Sequence, residues 1–175
     1  MLINLSELLT VKGKSKEYRA DIEFEAFESR LGVYKVLESD KVSLEITHHG
    51  NREISIKGKT RLVLSIPCDR CLQEVLTPID IEIERTADMN VDNSDTEQET
   101  DEQNYIDGYN LDVDKLVYDE ILINLPMKIL CKEDCNGICN RCGANLNIET
   151  CDCDREVLDP RMSVIRDIFN NFKEV

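Results

Sequence analysis

Tryptophan is absent from this 175-residue chain, and only nine residues are aromatic, five Tyr and four Phe. A hydrophobic content of 41% still suffices for a core, so the length accommodates one domain, or a domain with a small appendage. No apolar run approaches the ~18 residues that a membrane-spanning helix requires. Residues Met1–Thr10 lack a basic n-region and a long apolar h-region, and no signal peptide is expected. A glycine-rich phosphate loop and a nucleophile elbow are also missing. Together these absences predict a cytoplasmic, non-enzymatic protein with no membrane and no small-molecule substrate.

An excess of positive charge is missing too. The chain carries 21 Lys and Arg against 36 Asp and Glu, a net charge of −15. Residues 1–87 hold 13 basic and 15 acidic groups, residues 88–112 nine acidic and no basic groups, and residues 113–175 eight basic and twelve acidic groups. Most of the acidity therefore belongs to one segment. There is no overall basic field of the kind that drives non-specific nucleic-acid binding. The segment 88–112 is rich in Asp, Glu, Asn, Ser, Thr and Gln and reads as a mobile acidic loop. It serves as a solvated spacer or as a docking surface for a basic partner.

What the chain has in quantity is cysteine. Six of its eight cysteines fall between Cys131 and Cys153, at positions 131, 135, 139, 142, 151 and 153, and the other two form the pair Cys68 and Cys71. In a reducing compartment, thiols at such spacings favour a metal over disulfides. Cys139-Asn-Arg-Cys142-Gly143 has the form of a zinc knuckle, its glycine free to take a positive φ. Cys139 and Cys142 are the most secure ligands. Two arrangements are open. In one, a single Cys₄ zinc takes 139/142 plus either 151/153 or 131/135. In the other, all eight cysteines make two Cys₄ sites, with Cys68 and Cys71 bridging the sheet to the tail. The six C-terminal cysteines are favoured as the metal-bearing segment, with Cys68 and Cys71 as second-site ligands. Four thiolates leave no position for a catalytic water, so the zinc should be structural.

Period-two alternation marks strands at Tyr18–Phe24, Val42–Ile46, Ile54–Ile56, Leu62–Ile66 and Val75–Ile83. Leu2–Leu9 suggests a short strand followed by a helical turn capped at Ser6. His48-His49-Gly50-Asn51 reads as a turn with two solvated histidines. Leu72–Ile83 reads as a strand that Pro78 breaks. The economical arrangement is an antiparallel meander, with Cys68 and Cys71 at the tip of a hairpin. A thioredoxin-type pair would instead open a helix at its first cysteine. From Asp112 the period changes to that of an amphipathic helix, ending before Pro126. Asp159-Pro160 starts a second helix carrying Met162, Ile165, Ile168, Phe169 and Phe172 on one face. Lys14, Lys16, Lys57, Lys59, Arg61 and Arg70 are candidates for a modest basic patch on the sheet. Of these, Lys57, Lys59, Arg61 and Arg70 are the candidate contacts to RNA phosphates.

Pro67-Cys-Asp-Arg-Cys-Leu72, Leu125-Pro126, the run Leu130–Asn147 with its four cysteines, Cys151-Asp-Cys153 and Asp159-Pro-Arg161 occur here in fixed order. Taken together they resemble the YceD family, the large ribosomal RNA subunit accumulation proteins, over roughly residues 60–170. The resemblance implies a bacterial cytosolic protein without catalytic residues, serving accumulation or maturation of large-subunit ribosomal RNA. Its partners would be pre-ribosomal large-subunit RNA, a basic ribosomal protein, or both.

The expected fold is α+β. A mainly antiparallel β-sheet or partly closed barrel spans 1–87, followed by the acidic loop 88–112. Residues 113–175 then hold a helix, the zinc-binding segment 131–153 and a C-terminal helix, packed on the first part as one unit. One or two structural zinc ions are expected. Two other readings compete: a zinc-stabilised protein-interaction module outside ribosome biology, and a thiol redox protein.

Overall fold

The structure, a computed structural model, describes residues 1–30, 32–89 and 104–153, together with the single positions 165 and 168. β1 (Leu2–Asn4) leads into a 3₁₀ turn at Leu8–Thr10. Six strands follow: β2 (Ser15–Ala20), β3 (Ala26–Ser29), β4 (Gly32–Ser39), β5 (Val42–Gly50), β6 (Glu53–Pro67) and β7 (Glu74–Asp88).

All pairings in the main sheet are antiparallel, and β6 is its spine. One edge of β6 is paired with β7 along its whole length, from Glu53 opposite Asp88 to Pro67 opposite Glu74. The other edge is shared: β5 takes Glu53–Lys59 and β4 takes Leu62–Ser65. β2 and β3 then pair with β5 and β4 respectively. The six strands thus form four lanes, residues 15–29, 32–50, 53–67 and 74–88, with the first two interrupted at 21–25 and 40–41. Lanes in chain order need no crossover; an antiparallel meander forms, but Ile54–Ile56 and Leu62–Ile66 are one strand, and β3 and β4 lie outside the stretches that the alternation marks. The first and last lanes are not hydrogen-bonded to each other among the described residues, so the sheet is open and not a closed barrel.

The alternation has its physical outcome in burial. Val42, Leu44 and Ile46, Ile54 and Ile56, Leu62, Leu64 and Ile66, and Ile79, Ile81 and Ile83 are all buried on one face. Each such side chain stabilises the fold by about 1.5–3 kcal/mol through loss of apolar surface to water. The β5–β6 turn places both Asn51 and Arg52 at positive φ, 52° and 61°, the backbone of a two-residue turn that matches strand twist.

Residues 104–112 add a small second sheet. β8 (Ile106–Asp107) pairs with β9 (Asn110–Asp112), and β9 pairs with β1. α1 (Val113–Asn124) follows at once. Asp112 caps it by accepting from the backbone N–H groups of Asp114 and Lys115, which satisfies donors that the first turn leaves open. α1 buries Leu116, Val117 and Ile121 and reaches both outer lanes. Its Tyr118 ring lies 4.8 Å from that of Phe27 on β3, and the Tyr118 hydroxyl donates to the Glu28 carbonyl at 2.6 Å. On the other side, buried Glu120 accepts from Arg85 of β7 at 2.8 Å.

Several expectations are corrected. Pro78 does not break β7; it sits within the strand opposite Val63. Proline is tolerated there because no strand is hydrogen-bonded to the second edge of β7 among the described residues. The acidic segment is not a loop throughout: β7 runs to Asp88, and 104–112 is turn and strand, while 90–103 lies outside the described residues. His48 is not solvated. It is 6% exposed at the end of β5, its Nδ1 3.1 Å from the Val11 carbonyl; His49 is exposed and pairs with Ser55 at 2.8 Å. Ser6 caps nothing with its side chain; its N–H donates to Asn4 instead. The C-terminal helix expected from Asp159 lies outside the described residues apart from positions 165 and 168.

Two compact units are present. The first comprises Met1–Cys68 and Gln73–Ile129, the second Asp69–Leu72 and Leu130–Val175. α1 belongs with the sheet, so the boundary falls after Ile129 and not at residue 113. The reason is packing: the apolar stripe of α1 is buried in the same aliphatic core as β5, β6 and β7.

Gly58 sits on β6 opposite Leu44 of β5. A Cβ there would meet the Ser43 carbonyl oxygen at 2.5 Å and Leu44 Cδ2 at 2.6 Å. Gly58→Ala is predicted to destabilise the protein by about 1–3 kcal/mol, measured by urea denaturation; a change within about 0.5 kcal/mol would contradict this packing.

Candidate metal centres

The eight cysteines fall into two groups of four. Cys68, Cys71, Cys131 and Cys135 form one, and Cys139, Cys142, Cys151 and Cys153 form the other; within each, the sulfurs all lie within 4.8 Å of one another. None of the eight is in a disulfide. Both groups suit a metal ion. A tetrahedral ion with ~2.3 Å metal–sulfur bonds places its sulfurs about 3.8 Å apart, so little closure is needed. Of the two arrangements left open by the spacing, the structure has the one that uses every cysteine.

Local sequence explains each half-site. Cys139 N–H donates to the Ala144 carbonyl at 2.8 Å, closing the loop Cys139–Gly143 on itself, and Gly143 takes φ +77°. The N–H of Arg141 then points at Cys139 Sγ, 3.5 Å away. The first pair repeats this plan. Cys68 N–H donates to the Gln73 carbonyl at 2.8 Å, again five residues on, and the residue after the second cysteine again has positive φ. That residue is Leu72, at φ +61°. The sequences Cys-Asp-Arg-Cys-Leu-Gln and Cys-Asn-Arg-Cys-Gly-Ala are therefore two copies of one knuckle. The first copy has leucine where the second has glycine.

Around the first group, the residues of the motif have structural work. Asn147 donates its side-chain amide to Cys135 Sγ at 3.3 Å and accepts from the Asn136 N–H at 2.9 Å. The Arg70 guanidinium donates to the Cys135 carbonyl at 2.8 Å, and the Arg70 carbonyl accepts from the Ile138 N–H at 3.0 Å. Gly137, at φ +76°, lets the backbone pass; a Cβ there would lie 3.0 Å from the Arg70 oxygen. Donors of this kind around the sulfurs orient thiolates and hold their charge.

The protonation states show the same preparation. Backbone N–H groups of Cys142 and Arg141 donate to the Cys139 sulfur and hold its pKa down at about 6. Burial works against a thiolate at Cys135 but is outweighed by the Asn147 amide and the Gly137 N–H, and its pKa is lowered. Cys153 moves the other way, to about 12, because its thiol is held as a donor to Cys142, with burial adding to the effect. Four adjacent sulfurs cannot all carry charge without a cation, so a metal held by this group would require Cys153 to give up its proton.

The basic candidates are dispersed. Lys57, Lys59 and Arg61 line the outer face of β6, directly opposite Glu84, Glu82 and Asp80 of β7. Lys57 pairs with Glu84 at 3.0 Å and Arg61 with Asp80 at 3.6 Å. Lys14 and Lys16 both pair with Glu7, each at 3.1 Å. Arg70 is in the second unit and engaged there. The row on β6 thus faces an acidic row on β7, with two of its three charges ion-paired across it. Cys68 and Cys71 are both buried, and the chain beyond them is β7, which lacks the helix N-terminus that activates a redox thiol.

Metal analysis is predicted to find two ions per chain, and Cys71→Ser and Cys142→Ser are each predicted to remove one. One ion in the parent protein, unaffected by Cys71→Ser, would refute the two groups. Leu72 in the left-handed region costs about 1–2 kcal/mol, against roughly 0.5–1 kcal/mol of chain entropy that a glycine would add. Leu72→Gly is therefore predicted to leave thermal stability unchanged or raised by up to about 1 kcal/mol, and a loss above 1 kcal/mol would contradict it.

Comparison with known proteins bears on the same residues. The family described as "Large ribosomal RNA subunit accumulation protein YceD" matches residues 56–169, a stretch that includes all eight cysteines. A relative in Arabidopsis thaliana, "Large ribosomal RNA subunit accumulation protein YCED homolog 1, chloroplastic", is 26% identical over 145 residues, covering 68% of this chain and 45% of that protein. An uncharacterized protein of Mycobacterium leprae is 22% identical over 99 residues, covering 57% of this chain and 46% of its own. The chain therefore spans less than half the length of either relative. No solved structure matches.

Proposed function

Because the chain belongs to the YceD family of large ribosomal RNA subunit accumulation proteins, we propose that it is a ribosome-biogenesis factor needed for accumulation or maturation of large-subunit ribosomal RNA. The observation that carries this reading is the family match across residues 56–169, which takes in most of β6, all of β7 and both cysteine groups. The protein acts by binding and not by catalysis, in the bacterial cytoplasm. Four-thiolate sites with no open ligand position support a structural role for the metal. Zn²⁺ is the ion proposed, since it accepts tetrahedral thiolate sets without a geometric preference of its own. When bound, it would offset half of the charge of four thiolates and close each loop. The chain's own residues do the rest: Cys68, Cys71, Cys131 and Cys135 hold one ion, Cys139, Cys142, Cys151 and Cys153 the other, and Asn147 and the knuckle N–H groups orient the sulfurs.

Depletion of the protein in cells is predicted to lower large-subunit relative to small-subunit ribosomal RNA, read by quantifying both mature species. An unchanged ratio would overturn the assignment and favour an interaction module outside ribosome biology.

A further inference from the structure

Leu72 is a residue that the knuckle does not need. The second knuckle reaches the same backbone conformation with Gly143, and Leu72 is 64% exposed, so its side chain adds little burial to the fold. A lone exposed leucine calls for no explanation. One held in the left-handed region does, because that conformation is an outlier for a bulky residue and is kept where the surroundings or a function demand it. Other exposed aliphatic residues belong to the same unit. Ile138, at 38% exposure, is hydrogen-bonded through its N–H to the carbonyl of Arg70, two positions before Leu72, and Ile148 is 78% exposed.

Charge decides what kind of partner these residues meet. Across 69–72 and 130–153 the second unit carries Asp69, Glu133, Asp134, Glu149 and Asp152 against Arg70, Lys132 and Arg141, a net of −2. A divalent ion on four thiolates adds −2 at each of two sites, so the loaded unit stands near −6. Such a surface repels phosphate and draws in a cationic protein.

We propose that Leu72 is an anchoring contact that enters an apolar pocket on a basic protein of the large ribosomal subunit, with the negative charge of the second unit steering the approach. The proposal rests on the ribosomal reading above. RNA is the other class of partner, and the experiment separates the two.

Metal-loaded full-length protein is immobilised and offered, in separate arms, total protein and ribosomal RNA extracted from purified large subunits, at about 0.3 M salt so that non-specific ion pairing is screened. The parent chain is compared with Leu72→Gly and Leu72→Asn, which both accept positive φ, and with Leu72→Met, which keeps an apolar side chain. Metal content and melting temperature are measured for each. The parent and Leu72→Met are expected to retain a protein from the first arm. Leu72→Gly and Leu72→Asn are expected to bind at least about tenfold more weakly, with both ions and the melting temperature preserved. Equal binding by Leu72→Gly, or retention of the parent by RNA alone, overturns the anchor and leaves the ribosomal reading standing. A parent chain that binds neither fraction overturns both.

Discussion

Backbone pairing along β6 is the constraint on which the first unit depends. Fifteen residues of β7 occupy one of its edges, and β5 and β4 divide the other. With both edges taken, β6 presents one face of isoleucine and leucine to the core and one face of Lys57, Lys59 and Arg61 to solvent. α1 then has a continuous apolar floor to pack on, and its Tyr118 and Glu120 fix it to opposite lanes. The same ladder ends at Pro67 opposite Glu74, which sets Cys68 and Cys71 in the connection between its two strands. A register slip would turn the aliphatic face outward and misplace the knuckle with it.

Electrostatics governs the second unit. Sulfurs within 4.8 Å of one another either share protons or share a cation. The arrangement suits the cation: N–H donors at Cys139 favour the thiolate, and Asn147 and Gly137 do the same at Cys135. Loading two such sites would make an already acidic protein more so. That balance, and not a basic surface, characterises the molecule. Of the positive residues on the sheet and its connection, Lys57 and Arg61 pair with carboxylates, Lys59 lies opposite Glu82, and Arg70 donates to a backbone carbonyl.

Legibility in the sequence varied with the range of the interaction. Period-two alternation marked β2, β5, β6 and β7, since it reflects a face that must be buried whatever lies opposite, but it did not mark β3 or β4. The stop of α1 before Pro126 was equally plain and its start lay between two aspartates, Asp112 and Asp114, of which the structure makes Asp112 the cap. His48 was misjudged: its neighbours His49, Gly50 and Asn51 speak for a turn, but Val11, 37 residues earlier, supplies the partner that buries it. Pro78 was misjudged because edge position, which excuses a proline, is a property of the sheet and not of the strand.

By itself, the sequence determined the chemistry on offer: eight thiols in close pairs, an aliphatic core arranged in alternation, an acidic balance, and an ordered set of motifs sufficient to identify the family. Only the tertiary structure decided how the thiols are shared. Cys131 and Cys135 lie next in sequence to Cys139 and Cys142, yet they join Cys68 and Cys71, because a metal site needs sulfurs close in space and chain distance does not rank them. The tertiary structure likewise showed the Arg70 guanidinium bracing the backbone at Cys135. It showed Leu72 to be a leucine in a glycine's conformation, since a backbone angle is set by the loop that closes around it.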